Sequence, residues 1–119
     1  MDTIARYHKI VHNLMLEYAS YKPSHGEIET EAIIDPAKGH YEVLHVGWDG
    51  VRRVHGVLIH IDIIGDKVWI QHDGTSPGIA EELVEAGIPR EAIVLGFHPE
   101  HYASILVLRS PDGLQTISV

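Results

Sequence analysis

The stretch from Tyr41 to Gln71 leaves the chain few choices, because two turn signals cut it into β-branched and apolar runs that read as strands. Asp49-Gly50 and Gly65-Asp66 are two-residue loop sequences, in which glycine supplies the positive φ that a tight hairpin needs. The runs on either side, Tyr41–Trp48, Val51–Ile64 and Lys67–Gln71, therefore read as an antiparallel meander.

The hairpins predict a register. A loop at Gly65-Asp66 sets Ile63 opposite Val68, Ile61 opposite Ile70 and Ile59 opposite His72, a nearly continuous β-branched face that packs on helices. The reverse face then pairs Asp62 with Trp69 and His60 with Gln71. A loop at Asp49-Gly50 sets Val57 opposite Glu42, His55 opposite Leu44 and His45 opposite Val54, with Val57 and His55 on the core side. The match is poorer at this end, where a bulge can reset it.

Around the meander, Ile4, Tyr7, Val11, Leu14, Met15 and Tyr18 recur at helical spacing over Thr3–Ser20, and Pro23, Ser24 and Gly26 end that helix. Glu27–Ile34 alternates acidic and apolar residues as a half-buried strand does, and Asp35–Gly39 is a turn. Pro77–Ala86 is helical, with Thr75 or Ser76 near its cap and Gly87 at its end. Ile93–Phe97 is an apolar packing segment, and Ser104–Arg109 has strand character. The expected fold is α+β in one domain over 1–119. An N-terminal amphipathic helix and a C-terminal helix pack on a mainly antiparallel four-stranded sheet.

Composition narrows the function. The 119 residues carry a net charge of −8 with histidines neutral, and Arg52-Arg53 is the only adjacent basic pair. Autonomous DNA binding needs cations to displace phosphate counterions, so contact with DNA is expected only indirectly. No cysteine is present, which excludes disulfides and thiolate metal sites. The polar start and the lack of an apolar run near the roughly 20 residues of a membrane span predict a cytoplasmic protein without membrane contact.

Chemistry-bearing patterns are sparse. His60-x-Asp62 places an imidazole and a carboxylate on one strand face, about 7 Å apart, within reach of one metal or proton. A polar outer sheet face accounts for the pair equally simply, and His45 lies too far along the predicted register to join it. His98-Pro99-Glu100-His101 lacks the spacing of a metalloprotease helix. Asp73–Gly78 precedes a helix N-terminus but has no phosphate-loop lysine. No catalytic residue, metal ligand or cofactor is assigned. Trp48, Arg52, Arg53, His60, Asp62, Trp69 and Gln71 are the interaction candidates, because tryptophan and arginine dominate interface hot spots. For Trp69, burial under the C-terminal helix competes with interface use.

The segments Glu17–Ser24, Leu44–Gly50, Arg52–Val54, His60–Ile63, Lys67–Gln71, Asp73–Thr75 and Gly78–Ala80 together resemble the XisI family, the fdxN element excision controlling factors. The resemblance spans about residues 1–99, and Tyr102–Val119 departs from the family pattern. It implies helices flanking an antiparallel sheet and a cyanobacterial setting. It also implies a part in excising a DNA element during heterocyst differentiation, beside a site-specific recombinase and the companion factor XisH. No catalytic residues come with it. The expected function is therefore that of a non-enzymatic accessory factor acting through an XisH-like protein partner, with homo-oligomerisation left open. The alternatives are a small DNA-binding directionality factor using Arg52 and Arg53, and a metal-dependent nuclease or hydrolase using His60 and Asp62.

Overall fold

The computed structural model describes residues 2–76 and 78–98. Helix α1 (Thr3–Ala19) leads to strand β1 (Glu27–Asp35), a 3₁₀ turn (Pro36–Lys38), β2 (His40–Asp49), β3 (Arg52–Ile64) and β4 (Lys67–Asp73). Helix α2 (Ile79–Ala86), a second 3₁₀ turn (Arg90–Ala92) and β5 (Ile93–Leu95) follow. The fold is α+β as expected, but among the described residues the sheet has five strands rather than four, in the order β1-β2-β3-β4-β5. The first four are antiparallel neighbours, and β5 runs parallel to β4, pairing Val68 with Ile93 and Ile70 with Leu95. The apolar segment at Ile93 becomes a strand because α2 carries the chain back along β4, so the return is parallel.

Both helices cover one sheet face. Tyr7, Val11 and Met15 of α1, Ile79 and Leu83 of α2, and Ile88 and Ala92 beyond it share one core with Tyr41, Val43, Ile59, Ile61, Ile63, Val68 and Ile70. Helix α1 starts where Asp2 Oδ1 accepts hydrogen bonds from the amides of Ile4 (2.9 Å) and Ala5 (3.3 Å), a cap worth about 1 kcal/mol. The cap of α2 differs from the expected Thr75 or Ser76. Gly78 is the N-cap residue and offers no side chain, so Asp73 Oδ2 reaches forward to the Ile79 amide at 2.8 Å. Asp73 Oδ1 holds the Thr75 amide at 2.9 Å, so a carboxylate already occupies this helix start.

The predicted register holds from Ile61 to Ile63 and fails at Ile59 and beyond. Ile63 pairs with Val68, Asp62 with Trp69 and Ile61 with Ile70. A bulge then sets His60 opposite His72 rather than Gln71, and Ile59 opposite Asp73 rather than His72. The first hairpin turns at Gly50-Val51, with Asp49 paired to Arg52. Gly50, at the first loop position with φ 62°, supplies the conformation that a Gly-X hairpin loop requires. This shift moves each pairing by two residues, and a second bulge, which leaves Leu58 without a β2 partner between Val57 and Ile59, reverses the predicted faces. Tyr41 and Val43, not Glu42 and Leu44, enter the core, while Val57 and His55 face away from the helices. His45 lies opposite Gly56 rather than Val54. The physical reason is the strand period of two: one inserted residue reverses every side chain beyond it.

Two hydrogen bonds tie α1 to the α2 segment. Arg6 Nη1 donates to the Gly87 carbonyl at 3.0 Å, and the Tyr18 hydroxyl donates to Glu82. Burial, then the bond to Glu82, holds the Tyr18 phenol well above the ordinary tyrosine range. An unfolded chain ionises this phenol near pH 10, so ionisation favours unfolding above that pH. The bond's stabilisation is present below about pH 10 and lost as the pH rises further. In urea melts, Tyr18→Phe is expected to be less stable than the parent at pH 8, with the difference shrinking at pH 11.

The bulge makes a contrast that can be measured. Ile61→Ala is expected to cost about 2–5 kcal/mol, as large-to-small changes in packed cores do. Val57→Ala, four residues away on the same strand but 38% exposed, is expected to change stability by about 0.5 kcal/mol. Equal losses in denaturant melts would place Val57 in the core and contradict the register.

Candidate functional site

The sheet face turned away from the helices carries the polar and aromatic residues singled out in the sequence, gathered into two groups. At the hairpin end, Trp48 of β2 pairs with Arg53 of β3, and the guanidinium carbon sits 5.3 Å from the ring centroid in a cation–π contact. Trp48 is 49% exposed. Arg52 lies at the loop, 3.4 Å from Asp49 Oδ2, in an exposed pair. Leu44 pairs with Val57 and Val46 with His55, extending an apolar strip from Trp48 along the same face. Glu27, Glu29 and Glu31 of β1 flank that strip, opposite Trp48, Val46 and Leu44 respectively.

At the other end lies a buried polar cluster built on Asp62. Its carboxylate is almost wholly buried and is held from three sides. His40 Nδ1 lies 2.9 Å from Oδ1, Gln71 Nε2 donates to Oδ2 at 3.1 Å, and His60 Nε2 stands 3.2 Å from Oδ2. The other nitrogen of His40, Nε2, meets Glu42. The His40 and His60 rings stand edge to face with centroids 4.6 Å apart. His40, His60 and Asp62 can each turn one ligating atom toward a common point, with those atoms within 4.8 Å of one another.

Each position follows from strand geometry. His60 and Asp62 share a face because they are two apart on β3, and the β2–β3 register sets Glu42 opposite His60 and His40 opposite Asp62. Gln71 reaches Asp62 because the bulge in the β3–β4 pairing admits it as an extra residue between Ile70 and His72. His40 and Glu42 were absent from the residues expected from sequence. A strand start at Tyr41 leaves His40 outside the sheet, and a register without the Leu58 bulge turns Glu42 toward the core. The Gly50-Val51 turn and the Leu58 bulge together set Glu42 opposite His60 and His40 opposite Asp62.

Trp69 and Asp62, expected as interaction candidates, are buried at 2% and 4% exposure, so neither presents surface to a partner in this structure. The cover on Trp69 is not α2, which packs on the opposite face. The chain after β5 crosses it at Gly96, whose amide donates to the Ile70 carbonyl at 2.9 Å. A Cβ at Gly96 would lie 2.6 Å from Gln71 Oε1 and 3.3 Å from Trp69 Cε3, so a larger residue would have to push the Gln71 side chain aside. His45 lies on the helix side near Tyr18, Tyr21 and Leu58, apart from the cluster. The expected motif His98-Pro99-Glu100-His101 and the strand at Ser104–Arg109 fall, beyond His98, outside the described residues. Among the described residues, no helix is long and apolar enough to cross a membrane.

The class defined by these features is a small α+β protein with helices on one face of a meander and a buried histidine–carboxylate cluster on the other. The family model for XisI protein matches residues 1–106, and the chain belongs to the XisI family. Two crystal structures from Anabaena variabilis ATCC 29413 share the fold. A XisI-like protein is 39% identical, with 84% of this chain and 92% of that one covered at a TM-score of 0.75. The fdxN element excision controlling factor XisI is 33% identical, with 83% of this chain and 97% of that one covered at 0.71. No curated protein matches the chain by sequence.

Removing the hub of the cluster is expected to be costly. Asp62→Ala leaves the Gln71 amide and two imidazoles without their common acceptor, a loss of about 1–3 kcal/mol in denaturant melts. His55→Ala, on the same face but exposed, is expected to change stability by about 0.5 kcal/mol.

Proposed function

We propose that this protein is a non-enzymatic accessory factor in the excision of a DNA element by a site-specific recombinase, and that it acts by binding a protein partner of the XisH kind. Family membership supports the biological context, through a relative of the same fold named as an fdxN element excision controlling factor. The observation that carries the mode of action is the hairpin end of the outer sheet face. Trp48 is half exposed there, braced by Arg53 and continuous with Leu44, Val46 and Val57, and among the described residues no helix covers it. A rigid aromatic with an adjacent arginine and an apolar surround is the composition of an interface hot spot. The acidic balance of the chain favours a protein over DNA as the direct contact.

Co-expression with the XisH-like partner and gel filtration at micromolar concentration tests the reading. A co-eluting complex is expected, with Trp48→Ala weakening it by about 2 kcal/mol, roughly thirtyfold, at unchanged thermal stability. Separate elution of the two proteins would reject a stable partner. A gel shift at low salt by the isolated protein, abolished in Arg52→Ala/Arg53→Ala, would instead support direct DNA binding.

A further inference from the structure

We propose that His40, His60 and Asp62 form a binding site for a single divalent transition-metal cation of the zinc class. The three residues come from adjacent strands of one sheet, so the backbone pairing fixes their spacing before any ligand arrives. Two imidazoles and one carboxylate are a borderline-soft donor set that suits zinc and its neighbours better than calcium or magnesium, which take oxygen ligands. The ligating atoms converge within 4.8 Å, and His40 Nδ1 and His60 Nε2 address opposite oxygens of the same carboxylate at 2.9 and 3.2 Å. Ligands at about 2.0–2.1 Å from a tetrahedral ion stand roughly 3.3 Å apart, close to the two histidine–carboxylate distances, and side-chain rotation would have to close any wider separation within the 4.8 Å limit.

The surrounding shell gives the independent argument. A histidine that ligates a metal generally gives its other ring N–H to a carboxylate, which fixes the ring and raises its basicity. His40 has this arrangement: Nδ1 faces the cluster and Nε2 is held by Glu42. A ligating carboxylate is in turn hydrogen-bonded, and Gln71 Nε2 supplies that bond to Asp62 Oδ2 at 3.1 Å. A groove lined by Asp35, Lys38, His40, Asp62 and Gly65 opens beside the cluster and gives an ion an approach from solvent. The site joins β2 to β3 and, through Gln71, to β4. It lies at the far end of the face from Trp48, so it makes no demand on the proposed partner surface.

The full chain, free of any histidine tag and stripped with chelator, is titrated calorimetrically with zinc chloride, and in parallel with cobalt chloride followed by visible absorption. One equivalent of zinc is expected to bind with Kd tighter than about 1 µM, and cobalt to give the absorption of a low-coordinate nitrogen–oxygen centre. His60→Gln, which removes a ligand, is expected to weaken zinc by about 100-fold or more, and Glu42→Gln, which only frees the His40 ring, by about 10–100-fold. His45→Gln is the control and should leave affinity unchanged. Circular dichroism and thermal melts establish that each variant is folded. No stoichiometric binding by the folded parent, or undiminished affinity in folded His60→Gln, overturns the proposal. Partner co-elution is read separately, so its failure and the failure of the metal site remain distinct results.

Discussion

Ile59, Ile61 and Ile63 must all face the helices, and an extended strand can satisfy them only by turning His60 and Asp62 to the other side. Each isoleucine brings about 1.5–3 kcal/mol by leaving water, and together with Val68, Ile70, Val11 and Met15 they make the core on which both helices rest. The place of the polar cluster is thus a by-product of core packing. Once Asp62 is fixed on the outer face, its burial is tolerable only if its oxygens are occupied. His40, His60 and Gln71 converge on it for that reason.

Two single-residue insertions let one sheet serve both demands. The Leu58 bulge reverses the faces of β3, so Ile59 onward feeds the core while Val57 and His55 join Trp48 and Arg53 outside. The bulge at Gln71 lets an extra side chain reach across to Asp62 without disturbing the pairing of Ile61 with Ile70. Without the first insertion, Glu42 and Leu44 would turn toward the helices, and burying an unpaired glutamate there would oppose folding. Bulges of this kind re-aim side chains where a sheet carries function as well as structure.

The two ends of the outer face consequently differ in character. The hairpin end is open, aromatic and apolar, with the acidic rungs of β1 along its margin. Those glutamates also sit on an edge strand, where charge discourages pairing with a stray strand. The far end is tighter: Trp69 lies beneath the chain at Gly96, and Asp62 is buried beside a groove that reaches solvent. An interaction surface and a rigid polar core can therefore share one face without competing for the same residues.

Local physics made much of this legible in the amino-acid sequence. Helical spacing marks α1, alternation marks β1 and the isoleucine face of β3, and glycine at each hairpin marks the turns. His60, Asp62, Trp69 and Gln71 could be placed on one face, and Trp48 and Arg53 near one turn, because strand parity is a local property. The resemblance to XisI, read from motifs spread over most of the chain, is borne out by the family model. Position along the strands was not legible. A bulge is chosen by packing of residues distant in sequence, so the exposure of Val57, the burial of Tyr41 and the presence of His40 and Glu42 in the cluster awaited the folded sheet. The parallel fifth strand and the burial of Trp69 were likewise decided only by tertiary structure, since both depend on where α2 returns the chain and how closely Gly96 can approach.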